Sequence, residues 1–271
     1  MKKTIIITGS TDGIGLETAK TLAKQGHHLL IHGRNSNKLA KVESLLSDLT
    51  GSENIESFVA DLAHFSGVEA LASSVIAKHK KIDVLINNAG VYHVPQITTQ
   101  DNLDTRFVVN TLSPYLLTQR LLPLFTPSGR IINLSSAAQS PVDLNALIRS
   151  NEEIADSQIY AQSKLALTMW SLYMANLLKD KGPAIIAINP ASFLGSKLVK
   201  EAYGVKGGDL QIGANILCRA ALSDEFANTS GQYFDNDSGQ FSSPHPDALS
   251  SIKNQKLIEV IEKILMQHIG K

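Results

Sequence analysis

Cysteine is almost missing from this chain: Cys218 is the only one. A single thiol excludes an intramolecular disulfide framework and a Cys-rich zinc site. Neither sign of charge is in excess, with 25 Lys+Arg against 25 Asp+Glu. A domain built to neutralise nucleic-acid phosphates would carry a basic balance, so no nucleic-acid partner is expected. Long hydrophobic runs are lacking as well, and none approaches the roughly 20 residues of a membrane span. The apolar run Ile5-Ile6-Ile7 is too short for the core of a secretion signal, and no small-residue cleavage site follows it. There is no internal repeat and no low-complexity tract. These absences lead to the expectation of a soluble, cytoplasmic protein of enzyme size.

What is present agrees with that expectation. Hydrophobic residues are 43% and charged residues 18% of the chain, which excludes a disordered polymer. The 271 residues allow one large domain or two small ones at roughly 100–200 residues each. No linker divides them, so a single domain over residues 1–271 is expected. Strand candidates are Thr4–Thr8, His28–His32, Glu56–Ala60, Ile82–Ile86, Arg130–Leu134, Ala184–Ile188 and Gln232–Asp235. Helical periods alternate with them. Ile14, Ala19, Leu22 and Ala23 share one face of the first helix. Leu39, Val42, Leu45, Leu46 and Leu49 do so in the second, with Ser36 as the expected N-cap, and Val68, Leu71, Ala72, Val75 and Ile76 in the third. Continuous apolar strands joined by helical crossovers predict an α/β fold: a doubly wound, mostly parallel Rossmann-type sheet of about seven strands with helices on both faces. Residues 139–157, rich in Ser, Asn, Asp and Glu, read as an insertion. An amphipathic helix is expected over residues 247–268, and Pro114 is expected to kink the core helix that contains it.

The first strand runs into Thr8-Gly9-Ser10-Thr11-Asp12-Gly13-Ile14-Gly15. Glycines allow positive φ and let backbone amides approach a pyrophosphate, while the helix opening at Gly13 points its positive end at that anion. The turn is no P-loop, since Gly-Lys-Ser/Thr is absent. Its spacing is G-x-x-x-G-x-G. Further along stand Asn87-Asn88-Ala89-Gly90 after the fourth strand, Asn110, Ser135-Ser136 after the fifth strand, Tyr160-Ala161-Gln162-Ser163-Lys164, and Asn189-Pro190 after the sixth.

This series, in this order, resembles the short-chain dehydrogenase/reductase family, and most nearly its retinol-dehydrogenase and carbonyl-reductase-like branch. The resemblance runs from about Lys3 to Phe234 and implies a strand order of 3-2-1-4-5-6-7. It also implies a nicotinamide cofactor held by Gly9, Ser10, Thr11, Gly13, Ile14 and Gly15, by Asp61 and Leu62, by Asn88, Ala89 and Gly90, and by Tyr160, Lys164 and Pro190. The catalytic set it implies is Ser136, Tyr160, Lys164 and Asn110. Tyr and Lys at i and i+4 share a helix face, and an ammonium beside a phenol favours the phenolate. Tyr160 would exchange a proton with the substrate oxygen, Ser136 would orient that oxygen, and Asn110 would hold a water linking Lys164 to solvent. Alternation at the strand end favours Ser136 over Ser135, and Asn87 is expected to brace the sheet.

The second strand ends His32-Gly33-Arg34-Asn35. An acidic residue there would bind a ribose 2′-hydroxyl, whereas an Arg suits a 2′-phosphate. Arg34, with room left by Gly33, therefore favours NADP(H) over NAD(H). The expected reaction interconverts a ketone or aldehyde with an alcohol, on a small and hydrophobic substrate. The alternative is a cofactor-sensing regulator on the same fold, though such proteins tend to lose the Tyr or Lys that this chain keeps. The resemblance also suggests a homo-oligomer paired through helices that start near Asp101 and Tyr160. Three departures from the family pattern lie at the substrate mouth. Tyr160 follows Ser136 by 24 positions instead of about a dozen, Ala191 stands where the family has Gly after Asn-Pro, and Gly195 or Ser196 stands where it has Thr. The eight histidines show no metal-ligand spacing, and no metal is expected.

Overall fold

The computed structural model describes residues 1–269. In chain order, β1 is Thr4–Ile7, α1 Gly13–Lys24, β2 His28–Gly33, α2 Ser36–Thr50, β3 Ile55–Val59, α3 Phe65–Lys78 and β4 Val84–Asn87. Then follow α4 Thr105–Phe107, a π-helical stretch Val108–Leu112, α5 Ser113–Leu121, β5 Arg130–Leu134, α6 Leu144–Ile148, α7 Asp156–Leu178 and β6 Ala184–Asn189. The chain closes with α8 Lys197–Tyr203, α9 Leu210–Leu222, β7 Tyr233–Asp235, β8 Gln240–Ser242 and α10 Ser251–Ile269. The sheet order is β3-β2-β1-β4-β5-β6-β7-β8. All neighbours are parallel except β7 and β8.

Alternation along each strand feeds two separate apolar layers. Ile6, Leu30, Leu85, Ile131 and Ile185 face one side, under α3, α5, α7 and α10. Ile5, Ile7, Leu29, Ile31, Ile86 and Ile186 face the other, under α1, α2 and α9. Ile6 is fully buried. Truncating such a residue to Ala costs about 2–5 kcal/mol, the transfer term plus the cavity. Among the described residues, no helix is long and apolar enough to cross a membrane.

The seven expected strands form, most with ends shifted by a residue or two, and an eighth is added. β8 pairs antiparallel with β7, Phe234 opposite Phe241, across a turn that Gly239 enters at φ +70°. Phe226, Phe234 and Phe241 stack around this edge with ring centroids 5.1–5.2 Å apart. The N-cap of α2 is Asn35, not Ser36: Asn35 Oδ1 accepts from the Lys38 amide at 2.9 Å. Leu45, Leu49 and Ile76 are exposed, because α2 and α3 bury a narrower stripe than the apolar pattern marks. The distortion near Pro114 precedes the proline. It is the π-helical stretch Val108–Leu112, which runs without a break into α5, and Pro114 follows it in the first turn of that helix. The C-terminal helical pattern is broken: a 3₁₀ turn at Pro246–Leu249 and an extended Ser250 precede α10.

Candidate active site

A cleft of 620 Å³ opens at the C-terminal ends of the parallel strands, where the strand order reverses between β1 and β4. One end is made of backbone. Gly9 and Gly13 take φ of +66° and +55°, the left-handed region that favours glycine. A Cβ on Gly15 would lie 2.3 Å from the Gly9 carbonyl oxygen, so α1 sits on the turn only because position 15 has no side chain. Asn88 fastens the same turn, donating from Nδ2 to the carbonyls of Thr8 at 2.8 Å and Gly9 at 3.0 Å. Thr8 Oγ1 in turn accepts from the amides of Asn88 and Ala89. Gly9, Thr11, Gly13 and Ile14 line the cleft, whereas Ser10 and Gly15 do not. The Ser10 hydroxyl faces β2, donating to the His32 carbonyl and accepting from the His32 amide.

His32 was not singled out by sequence reasoning, yet it links three strand ends. Its Nδ1 accepts from the Gly9 amide at 3.2 Å, and its Nε2 lies 3.0 Å from the Ala60 carbonyl. Accepting at one nitrogen and donating at the other requires the neutral ring. Burial lowers its pKa to about 4, so it stays neutral through the physiological range. Next to it, Gly33, Arg34, Asn35 and Lys38 line one corner of the cleft, with Arg34 and Lys38 exposed. Lys38 is a second cation beside Arg34; the N-capped first turn of α2 supplies it, four residues beyond the strand-end Arg34 that the sequence pattern marks. A Cβ on Gly33 would meet Thr11 Cγ2 at 2.5 Å. Asp61 and Leu62 line the wall beyond, where Asp61 Oδ1 accepts from the Ala63 amide.

At the other end the cleft is made of side chains. α7 presents Tyr160 and Lys164 to it, and β5 ends in Ser135 and Ser136, which also line it. The Lys164 ammonium is buried, donates to the Leu134 carbonyl at 2.7 Å and lies 5.7 Å from the centroid of the Tyr160 ring. Burial lowers its pKa to about 8. The two serines differ. The Ser135 hydroxyl is buried and engaged with Thr168 Oγ1 at 2.6 Å and the Lys164 carbonyl at 3.3 Å. Ser136 is only partly buried, its Oγ accepting from the Ala138 amide, and its carbonyl accepts from Gln139 Nε2 and the Tyr233 hydroxyl. Tyr92, also overlooked in the sequence, packs on Tyr160 with centroids 5.2 Å apart.

Asn110 lies in the π-helical stretch and does not line the cleft. Its Oδ1 accepts from the Val91 amide at 2.8 Å, and its Nδ2 donates to the Val91 carbonyl and to Ser163 Oγ. The amide is thus committed to protein partners. A Cβ on Gly90 would stand 3.4 Å from both Asn110 Oδ1 and Lys164 Nζ, so Gly90 keeps open the space between them. Asn87 braces the sheet, donating to Asn133 Oδ1 and Thr118 Oγ1. An ion cluster that runs from a buried pair to the surface sets the start of α7: Arg106 donates to Asp104 at 2.6 and 2.9 Å and to Asp156, which also holds the exposed His93 Nδ1 at 2.9 Å.

The loop after β6 closes the cleft through Asn189, Pro190 and Ala191 to Val199. Asp237 ties it down. Its carboxylate accepts from the Ser192 amide and hydroxyl and from Asn189 Nδ2. Burial works against that charge, but these bonds outweigh it and hold the pKa below the usual carboxylate value. Ala191 stands at φ +117°, a conformation suited to the Gly it replaces. The insertion folds into α6, with Ala146 and Leu147 buried in the main core and the Asp143 amide donating to Gln162 Oε1. No residue of 139–157 lines the cleft. The chain also joins histidines that sequence spacing keeps apart: His28, Glu56 and His79 meet at the opposite end of the strands.

The cleft offers an elongated surface with cations and positive-φ glycines at one end and a buried ammonium at the other, and it fits a dinucleotide. The short chain dehydrogenase family model matches residues 3–203. Human polyprenol dehydrogenase is 33% identical over 253 residues, covering 86% of this chain and 76% of that protein. Human retinol dehydrogenase 13 is 30% identical over 254 residues, with the same 86% and 76% covered. The crystal structure of a metagenomic short-chain oxidoreductase in complex with NADP superposes with a TM-score of 0.61 and 26% identity, covering 81% of this chain and 90% of that one. The chain therefore belongs to the short-chain dehydrogenase family, in its retinol-dehydrogenase-like branch, and is an NAD(P)-dependent oxidoreductase.

Proposed function

We propose that the protein interconverts a hydrophobic aldehyde or ketone with its alcohol using NADP(H), and that Tyr160 is the acid/base. The observation that carries this reading is the pairing of Lys164 with Tyr160 in the cleft wall, beside Ser136. When bound, the nicotinamide supplies or accepts the hydride. Gly9, Thr11, Gly13 and Ile14 would hold the pyrophosphate, and Asp61 and Leu62 the adenine side. Arg34 and Lys38 supply the positive charge that a 2′-phosphate needs. The NADP complex of the similar metagenomic oxidoreductase supports the same choice.

In the reducing direction Tyr160 gives its hydroxyl proton to the carbonyl oxygen as the carbon receives the hydride. In the oxidising direction it takes that proton back. The Lys164 ammonium stabilises the phenolate left behind, and it is mainly charged below about pH 8. Of its three N–H donors, Leu134 occupies one, leaving two for a ribose hydroxyl. Ser136 hydrogen-bonds the substrate oxygen and orients it. Ser135 is excluded from that role by its engagement with Thr168. Asn110 acts as a positioning residue: it holds Val91 and the Tyr160–Ser163 turn of α7 at fixed separation.

Val91, Tyr92, Pro95, Leu194, Leu198 and Val199 give the mouth an apolar rim. That rim suits a hydrophobic substrate, as the names of the polyprenol and retinol relatives also suggest. The single buried thiol, Cys218, accords with a reducing compartment such as the cytoplasm. The test is NADPH consumption against a panel of aldehydes, ketones and quinones. Turnover of apolar aldehydes or ketones is expected; no turnover of any carbonyl, with NADPH still bound, would favour a cofactor sensor.

A further inference from the structure

We infer that His28, Glu56 and His79 form a binding site for one zinc-class divalent cation, at the end of the sheet opposite the cleft. The site follows from strand register. β2 and β3 pair with Leu30 opposite Glu56, and His28, two residues before Leu30, points to the same face. That face is covered by α3, whose C-cap is His79. Three side chains separated by 28 and 23 positions in the sequence thereby converge, with one ligand atom from each within 4.8 Å of the others.

The geometry is that of a site more than of an ion pair. Both His28 Nε2, at 3.0 Å, and His79 Nε2, at 3.1 Å, address the same carboxylate oxygen, Glu56 Oε1. The His79 nitrogen is buried, and it makes no hydrogen bond in spite of that distance. A buried, unpartnered imidazole nitrogen is costly, and a ligated ion removes the cost. Ligands bound at 2.0–2.1 Å around a tetrahedral ion lie about 3.3 Å apart, within a few tenths of an ångström of the two His–Glu spacings, and the two histidine nitrogens lie within 4.8 Å of each other. Side-chain exposures of 20%, 26% and 12% leave the solvent side open for water as the remaining ligand. Two imidazoles with one carboxylate and no thiolate suit zinc, nickel or copper and do not suit calcium or magnesium. The second oxygen, Glu56 Oε2, is held by Lys78 at 3.3 Å, which orients the carboxylate. Lys78 is largely exposed and can turn its charge to water.

A metal here would pin the C-terminus of α3 to the two outermost strands of that edge. It would take no part in the chemistry, because His28 and Gly33 stand at opposite ends of β2, about 16 Å apart along the strand.

Zinc chloride titrated by calorimetry into the untagged, chelator-stripped full chain tests this. One zinc per chain and a rise in Tm are expected. Glu56→Gln and His79→Gln should each abolish stoichiometric binding and remove the rise, with NADPH turnover unchanged. His268→Gln, at a half-buried pair with Asp101 away from this cluster, should bind zinc like the unmodified chain. Absence of zinc uptake, or equal uptake by His79→Gln, would overturn the site. If those variants do not fold, cobalt(II) added to the unmodified chain decides. Tetrahedral visible bands support the site; a spectrum unchanged from aqueous cobalt refutes it.

Discussion

The two halves of the sheet build the cleft by different means. β1 to β3 contribute mainly backbone: positive-φ glycines, a helix packed where Gly15 lacks a Cβ, and a neutral histidine tying the strand ends. β4 to β6 contribute side chains, with Lys164, Tyr160 and Ser136 at one wall. A cradle made of backbone tolerates side-chain change wherever φ and close packing permit it. A wall made of side chains loses its chemistry with a single atom. The first half should therefore govern affinity and stability, and the second should govern turnover.

The largest separation is expected at Tyr160. Tyr160→Phe should lower kcat by about 10²–10⁴, the usual share of acid/base catalysis, with the NADPH Kd moved little. A Kd that weakens in step with kcat would show that the side-chain wall also governs affinity. Lys164 separates the two halves through pH. Its pKa of about 8 means the charge is present below that pH and lost above it. Carbonyl reduction should therefore fall as pH rises through about 8, and Lys164→Met should abolish both the turnover and this limb. A limb that persists in Lys164→Met belongs to another group.

His32 predicts a stability effect in the other half. Its folded pKa is about 4 against about 6.5 for a free imidazole. Acid protonates the unfolded chain first, so the contribution is complete above about pH 6.5 and is lost as pH falls to about 4. Integrated over that window it reaches about 3 kcal/mol. Urea unfolding at several pH values, with His32→Asn as reference, should show a shallower slope in the variant, His27 and His28 supplying the remainder through their own burial-lowered pKa values. Next comes the cationic corner. Arg34→Ala with Lys38→Ala should weaken NADPH binding by roughly 10–100-fold, the worth of a charge-assisted hydrogen bond, while leaving kcat at saturation nearly unchanged. Equal affinity of the unmodified chain for NADPH and NADH would remove the role given to Arg34. The smallest effect is at Ala191, held at φ +117°. Ala191→Gly should raise stability by about 1 kcal/mol by relieving that strain, measured as a higher Tm.

The backbone half was the more legible in sequence, because glycine spacing and apolar strands record backbone geometry directly. Even there, Ser10 turned inward to β2, and His32 carried no local signal, since its partners Gly9 and Ala60 come from other strands. In the side-chain half, Tyr160, Lys164 and Ser136 were readable because a helix turn and a strand end fix where they point. Tyr92, Tyr233 and Asp237 were not, because each acts across the fold from a loop or an edge strand. β8 escaped notice because its alternation spans only Gln-Phe-Ser, and the insertion spends its apolar residues on the core beside α7. The meeting of His28 and His79 depends on sheet register and on where α3 ends, neither of which residue spacing encodes.

Isotope transfer follows the hydride itself from the nicotinamide to the carbonyl carbon. An aldehyde found active in the panel is reduced with NADPH carrying deuterium at both C4 positions, and the alcohol is examined by NMR. One deuterium on the carbinol carbon, with none incorporated by Tyr160→Phe on the same timescale, is the predicted result. An alcohol without deuterium, or labelling by Tyr160→Phe at the unmodified rate, would contradict it.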